Sequence, residues 1–425
     1  MRFREVNMKN LRISFFIISA FIMSNFAEMN AQPSLPKDTT RLLIINNDGT
    51  GLFCCGRNNT PQELIQMIIL NYKHTYVNNF EWCVNAGSNA NYDSKVTDYL
   101  GKGIDKYPRT IDSNMCAAIK GFIDNHVDII TLLRKTCDLI GVKFFASFRM
   151  GPDYQTAKTG TDYSHLYNGK FWWEHQNEQV LNKNGSKLVQ LSYAYPDVQR
   201  FKLDWISEVL NKKVDGINFD FLHHPPFLGY ENIMIEGFKT KYNLDPRKLS
   251  ADDPRWIEFK DSVMTDFMKQ VRTAVEKESL LTGKKILISA KVDYSNYKEQ
   301  GLDIDTWVKE GLIDILIIGK EGFGGYVFDL KPFAQLVRGT TCKLVVSEES
   351  ALASADVTPE MEKILLNGGK IKSRVMSTDE FCKRAINWYA EGAEGIEIFN
   401  EATNTGLFDA IGNPERYLES KTKNN

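Results

Sequence analysis

The chain has 425 residues and carries 52 Lys and Arg against 54 Asp and Glu, so it lacks the basic excess that an electrostatic nucleic-acid footprint requires. Seven cysteines with no CxxC spacing are too few to build a disulfide scaffold of this length. Their odd number leaves at least one free, or paired between molecules, if the others bridge.

At the start of the chain, Lys9 and Arg12 precede the apolar run "ISFFIISAFIM" at 13–23, and Ala31 stands at a cleavage position before Gln32. That run is far shorter than the roughly 20 residues needed to cross hydrocarbon, so 1–31 reads as a secretory signal peptide, an uncleaved anchor being the alternative. The expected mature protein is secreted or periplasmic and has no stable membrane span. The first cysteine, Cys54, lies too far along to suggest a lipid-modified start. Residues 32–40 form a short lead, and 416–425 read as a polar tail.

Between these ends, short apolar runs alternate with helical patterns. The predicted strands are "RLLIINN" at 41–47, "TYVNNFEW" at 75–82, "GVKFFASFRM" at 141–150, "VDGINFDF" at 214–221, "KILISAKV" at 285–292, "IDILIIGK" at 313–320, "CKLVVSEE" at 342–349 and "GIEIFN" at 395–400. Predicted helices lie around 119–139, 198–212, 256–279, 304–310, 330–338, 359–367 and 378–391. Strand and helix in alternation are the pattern of parallel β/α units, which predicts an α/β fold: a (β/α)8 TIM barrel over 41–415 with long loops on the C-terminal face. Two average domains would also fit the length.

In such a barrel the reactive face lies where the strands end. Asn47 and Asp48 leave the first strand, Glu81 and Trp82 the second, Arg149 the third, and Asp220, His223 and His224 the fourth. Lys291 and Asp293 leave the fifth, Glu321 the sixth, Glu348 and Glu349 the seventh, and Glu397, Asn400 and Glu401 the eighth. Alternation puts Asn218 and Asp220 on one inward side, with Ile217, Phe219 and Phe221 toward the helices. One acid at a strand end is ordinarily a loop cap, and Asp220 could simply cap the loop beginning at Leu222. Acids converging from several strands point instead to a ligand or catalytic site.

Glycosidic bond cleavage uses two carboxyls, one to protonate the leaving oxygen and one to attack or to activate water. Asp220 is the first candidate, with Glu348 ahead of Glu349 as its partner and Glu321 and Glu397 in reserve; the reverse division of roles stays open. The remaining exit residues are candidates for substrate binding, Arg149 by holding a hydroxyl or an acidic substituent. Aromatic faces suited to sugars crowd the long excursion after the third strand: Tyr154, Tyr163, His165, Tyr167, Phe171, Trp172, Trp173 and His175. Trp172 and Trp173 are the candidate substrate wall, although any single ring could equally be loop packing.

Five segments, "NNDGT" at 46–50, "FRMGPDY" at 148–154, "YAYPDVQ" at 193–199, "VDGINFDFLHHP" at 214–225 and "EGAEGIEIFN" at 391–400, together resemble the secreted family-10-like glycosyl hydrolase group. The resemblance covers essentially the mature chain and implies a (β/α)8 barrel and a carbohydrate substrate. Asn218 and Gly151–Pro152 depart from the group's pattern, where an acid and an Asn-Asp pair are usual. These departures keep a non-catalytic glycan-binding barrel open as an alternative.

Other chemistries find less support. There is no HExxH, no GxSxG and no GxGxxG, and "GFGGY" at 322–326 reads as a tight loop. No cofactor and no metal are expected, a loop calcium being the easier exception. Oligomeric state is not legible.

Overall fold

The computed structural model describes residues 41–154, 163–320, 324–349, 359–367, 369 and 375–423. All eight predicted strands form: β1 Leu42–Asn47, β2 Asn79–Cys83, β3 Lys143–Arg149, β4 Gly216–Asp220, β5 Leu287–Asp293, β6 Ile315–Gly319, β7 Lys343–Glu349 and β8 Gly395–Phe399. Each pairs in parallel with its neighbours, and β8 closes on β1. The fold is therefore a (β/α)8 TIM barrel.

Alternation sorts every strand into a lumen face and a helix face. Ile44, Phe145, Ile315, Ile317 and Val345 fill the lower lumen, with Leu42 and Leu287 against them. Gly216 makes room for the Phe145 ring, since a Cβ there would lie 2.5 Å from it. On the outer face Phe148 meets Trp205 edge-on at 5.7 Å, and Phe221 meets Trp307 at 5.5 Å. The apolar plug thus sits low in the barrel and leaves the upper lumen to polar residues.

The helices match less closely. The pattern at 119–139 is two helices, Thr110–Asp124 and Ile129–Leu139, broken where Asp128 caps the second by accepting from the Thr131 amide at 2.7 Å. Helices Pro61–Tyr72, Asn232–Tyr242, Thr405–Gly412 and Pro414–Lys423 lie outside the predicted pattern. The last takes in most of the segment that reads as a tail, and Glu415 within it pairs with Arg41 through two contacts of 3.1 Å. Among the described residues no helix is long and apolar enough to cross a membrane. The excursion between β3 and β4 holds the short helices Ser164–Tyr167 and Lys170–Glu174 and a hairpin pairing Gln179–Leu181 with Lys187–Leu191.

Candidate functional site at the barrel mouth

A chain of hydrogen bonds crosses the lumen above the apolar plug. Ser147 Oγ donates to Asn218 Oδ1 at 2.8 Å, Asn218 Nδ2 to Ser289 Oγ at 2.9 Å, and Ser289 Oγ to Glu81 Oε1 at 3.3 Å. Asn46 Nδ2 completes it by donating to Glu81 Oε2 at 2.8 Å. Burial lifts the Glu81 pKa well above the ordinary carboxyl value and Glu397 adds to this, while Lys291, Asn46 and Ser289 oppose it without prevailing. Glu81 is therefore held toward its protonated form.

Lys291 and Glu397 form a fully buried ion pair, Nζ 3.0 Å from Oε2. Burial works against the Lys291 charge, but Glu397, Asp220 and Glu349 outweigh it and raise its pKa. Its ammonium also stands 4.4 Å from the centre of the Phe399 ring. One cation is thus the common electrostatic neighbour of carboxylates from β4, β7 and β8.

Asp220 lies at the β4 exit and is buried. Its Oδ1 accepts from the amides of Leu222 at 3.0 Å and His223 at 3.3 Å, and its Oδ2 meets His223 Nδ1 at 2.5 Å. Loop cap and lumen carboxylate are therefore one residue. Burial favours its neutral form, yet His223, Lys291 and Arg149 together hold its pKa well below the usual carboxylate range. Asp220 remains an anion at any physiological pH.

Arg149 is locked at the β3 exit: its amide donates to Asn85 Oδ1 at 2.9 Å, and Asn85 Nδ2 donates to its carbonyl at 3.0 Å. Its guanidinium reaches Tyr154 OH at 3.3 Å. Tyr154 stacks on Tyr167 at 4.5 Å and lies 5.3 Å from His224, whose pKa is pushed down to about 3 by burial and then by Arg149 and His223. Of the two unusual residues after β3, Gly151 serves packing, because a Cβ there would come within 2.3 Å of the His224 carbonyl oxygen.

Glu348 and Glu349 face opposite ways from the end of β7. Glu348 Oε1 accepts from Arg384 Nε at 2.8 Å and from Trp388 Nε1 at 2.7 Å, both on helix Thr378–Glu391 outside the barrel. Lumen-facing Val345 and Ser347 put Glu349 on the inner side instead. Glu348 is a strand-to-helix clamp.

Other candidates divide in the same way. Asp293 reaches Lys320 at 3.4 Å while its Oδ1 takes the amide and hydroxyl of Ser295 at 2.8 and 2.6 Å. Asp48 and Asn400 bond each other across the β1 and β8 exits. Asn47 and Trp82 shape the β1 exit turn, accepting from the Gly49 amide at 2.9 Å and donating to the Gly49 carbonyl at 3.2 Å. Trp172 does not form a substrate wall: it is buried on Leu191 and Val198 and donates to the Val189 carbonyl at 2.7 Å. Trp173 is exposed and stacks on exposed His165 at 5.0 Å, lining a separate cleft with Asn89, Lys102 and Asn168. Tyr163 packs under the Arg109 guanidinium at 4.9 Å, and Glu321 lies outside the described residues. Asn46, Ser147, Ser289, Asn85 and Phe399 are neighbours of this cluster that the strand-exit pattern does not single out; stepping two residues inward from Asp48, Arg149 and Lys291 would find the first three.

The sequence pattern described as glycosyl hydrolase-like 10 matches residues 57–320, more than half of the chain. No curated protein matches it by sequence. Among solved structures, the chain is similar to a beta-galactosidase from the Antarctic haloarchaeon Halorubrum lacusprofundi, with a TM-score of 0.51 at 9% identity over 89% of this chain and 58% of that one. It is also similar to a glycoside hydrolase family 18 N-acetylglucosaminidase from Paenibacillus barengoltzii, with a TM-score of 0.44 at 8% identity over 87% and 99% of the two chains. A family 18 chitinase from Chromobacterium violaceum gives 0.46 at 11% identity over 90% and 73%. At 9% identity the likeness to the beta-galactosidase is one of fold alone.

Proposed function

Since the chain belongs to the glycosyl hydrolase-like 10 family, we propose that its barrel mouth hydrolyses glycosidic bonds of an oligosaccharide or polysaccharide, with Asp220 and Glu349 as the paired carboxyls. The observation that carries this reading is that both act on the buried Lys291 from the ends of two different strands of one lumen. Asp220, held as the anion, is suited to attack or to activate water, which leaves proton donation to Glu349. Arg149, Tyr154 and His224 supply the donors and ring faces that would seat a sugar beside them. Export ahead of Gln32 gives such an enzyme access to glycans, and N-terminal sequencing of exported protein would contradict it by finding residues before Ile13.

The test is release of reducing ends from a broad panel of glycans, acidic ones included. Asp220→Asn and Glu349→Gln should each lower kcat by about 100-fold or more, whereas Glu348→Gln should leave it within a few-fold. Cleavage retained in both lumen variants would rule out this pair, and tight binding without new reducing ends would make the barrel a glycan-binding protein. A second reading rests on the short Asp220–His223 contact: His223 moves the proton and Asp220 orients it. On that reading His223→Gln abolishes turnover and Glu349→Gln spares it.

A further inference from the structure

Away from the mouth, three potential ligands meet where the β3–β4 excursion rests on the helix leading into β4. His175 ends the helix Lys170–Glu174, Glu178 ends the single turn Gln176–Glu178, and Asp197 lies in the first turn of helix Pro196–Leu210. One ligand atom from each falls within 4.8 Å of the other two. We propose that these residues bind one divalent transition-metal ion, zinc or a close analogue, which staples the excursion to the barrel. The site is separate from the carboxylates of the mouth and does not depend on the hydrolase reading.

The imidazole is prepared as a ligand. His175 Nδ1 lies 2.9 Å from the Phe171 carbonyl oxygen. A carbonyl only accepts, so Nδ1 carries the hydrogen and Nε2 keeps its lone pair, which is the arrangement seen when a backbone carbonyl orients a metal-binding histidine. The ring is held in place by stacking on Phe171 at 3.8 Å, and Phe171 stacks on Phe201 at 4.1 Å.

Glu178 supplies the independent observation. It is only 9% exposed, and its Oε2 has no hydrogen-bond partner among the described residues. Its backbone is fixed, the amide donating to the His175 carbonyl at 2.8 Å and the carbonyl accepting from Ser192 at 2.9 Å. A buried carboxylate oxygen without a donor is unfavourable, and a bound cation removes that penalty. Asp197 already pairs with Arg200, but Asp197 is half exposed and Arg200 more so, and such a surface pair is readily given up.

Donor chemistry selects the ion. One imidazole with two carboxylates suits zinc, cobalt, nickel or manganese better than calcium or magnesium, which prefer oxygen alone. Tetrahedral ligands about 2.1 Å from zinc stand roughly 3.4 Å apart, so the group must tighten somewhat, and the half-exposed Asp197 has room to do this. A water would take the fourth position. Bound metal would fix the segment bearing Phe171, Trp172 and Trp173 against the Leu191–Val198 packing.

The experiment is zinc titration of the chelator-treated full chain by equilibrium dialysis, with thermal melting in parallel. One ion per chain and a rise in melting temperature with zinc are expected. His175→Gln and Asp197→Asn should each weaken binding by at least about 10-fold. Glu178→Gln should abolish it and yet raise the melting temperature of the metal-free protein, a result that a merely damaged variant cannot give. The proposal is overturned if the chain takes up no stoichiometric zinc, or if binding survives unchanged in His175→Gln and Glu178→Gln.

Discussion

Glu348 and Glu349 are chain neighbours with opposite fates, because one step along the backbone turns a side chain from the helices to the lumen. Glu348 answers the Arg384 guanidinium and the Trp388 indole in a buried position. Glu348→Ala should therefore destabilise the fold by about 2–3 kcal/mol in urea unfolding, below the usual cost of breaking a buried pair because Arg384 keeps the Tyr326 carbonyl. Turnover per folded molecule should be unchanged, and a Glu349→Ala variant should show the reverse pattern. Glu81 gives a second prediction, with a pH sign. Its folded pKa is raised above the unfolded value of about 4.3, so its contribution is fully present below that pH and is lost as pH rises through the folded value. Glu81→Gln keeps the shape without the charge. The difference in melting temperature, variant minus wild type, should grow as pH rises from 4 toward neutrality; a constant difference would show that Glu81 does not titrate above its unfolded value.

Elements differ in how much of them the sequence discloses, and the reason is physical. Strand β4 reads Gly-Ile-Asn-Phe-Asp, with polar residues on every second position, so its inward face is legible from the residue order alone. In β7, Leu344, Val345 and Val346 are all apolar because a parallel strand is buried on both sides, and polarity then carries no phase. Sequence therefore cannot rank Glu349 above Glu348, and for the same reason it points to Asn47 where Asn46 is the residue that bonds Glu81. Helix Pro61–Tyr72 does carry a readable signal, the Thr60–Glu63 capping box, which a search for apolar periodicity misses. The aromatic excursion does not resolve by composition, since Trp172 and Trp173 are adjacent and only burial separates them. Loop against loop, Gly151 supports the β4 exit, where a side chain would meet the His224 carbonyl. Gly151→Ala should cost about 1–3 kcal/mol through overpacking and should lower turnover by moving the His223–His224 segment. Unaltered kinetics in the folded variant would separate this contact from the site.

Across the whole barrel, charge is concentrated where the lumen turns polar. Glu81 from β2, Asp220 from β4, Glu349 from β7 and Glu397 from β8 are all buried, and Lys291 from β5 is the cation they share. Its removal tests whether the ring behaves as a unit. Lys291→Met keeps the length and apolar bulk of the side chain but leaves Glu397 without its partner at 3.0 Å. The expected loss is about 3–5 kcal/mol, the cost of an uncompensated buried charge rather than the worth of the pair. Adding Glu397→Gln to that variant removes the orphaned charge, so the double variant should regain at least half of the loss, and the coupling in a double-mutant cycle should be at least about 1.5 kcal/mol. Strict additivity would mean that the two residues stabilise the barrel independently. Because Lys291 also helps to keep Asp220 ionised, the acidic limb of any activity should move to higher pH in the rescued double variant, even with stability restored. A shift of stability alone, with the limb unmoved, would confine Lys291 to structure and leave His223 and Arg149 to hold Asp220 as an anion.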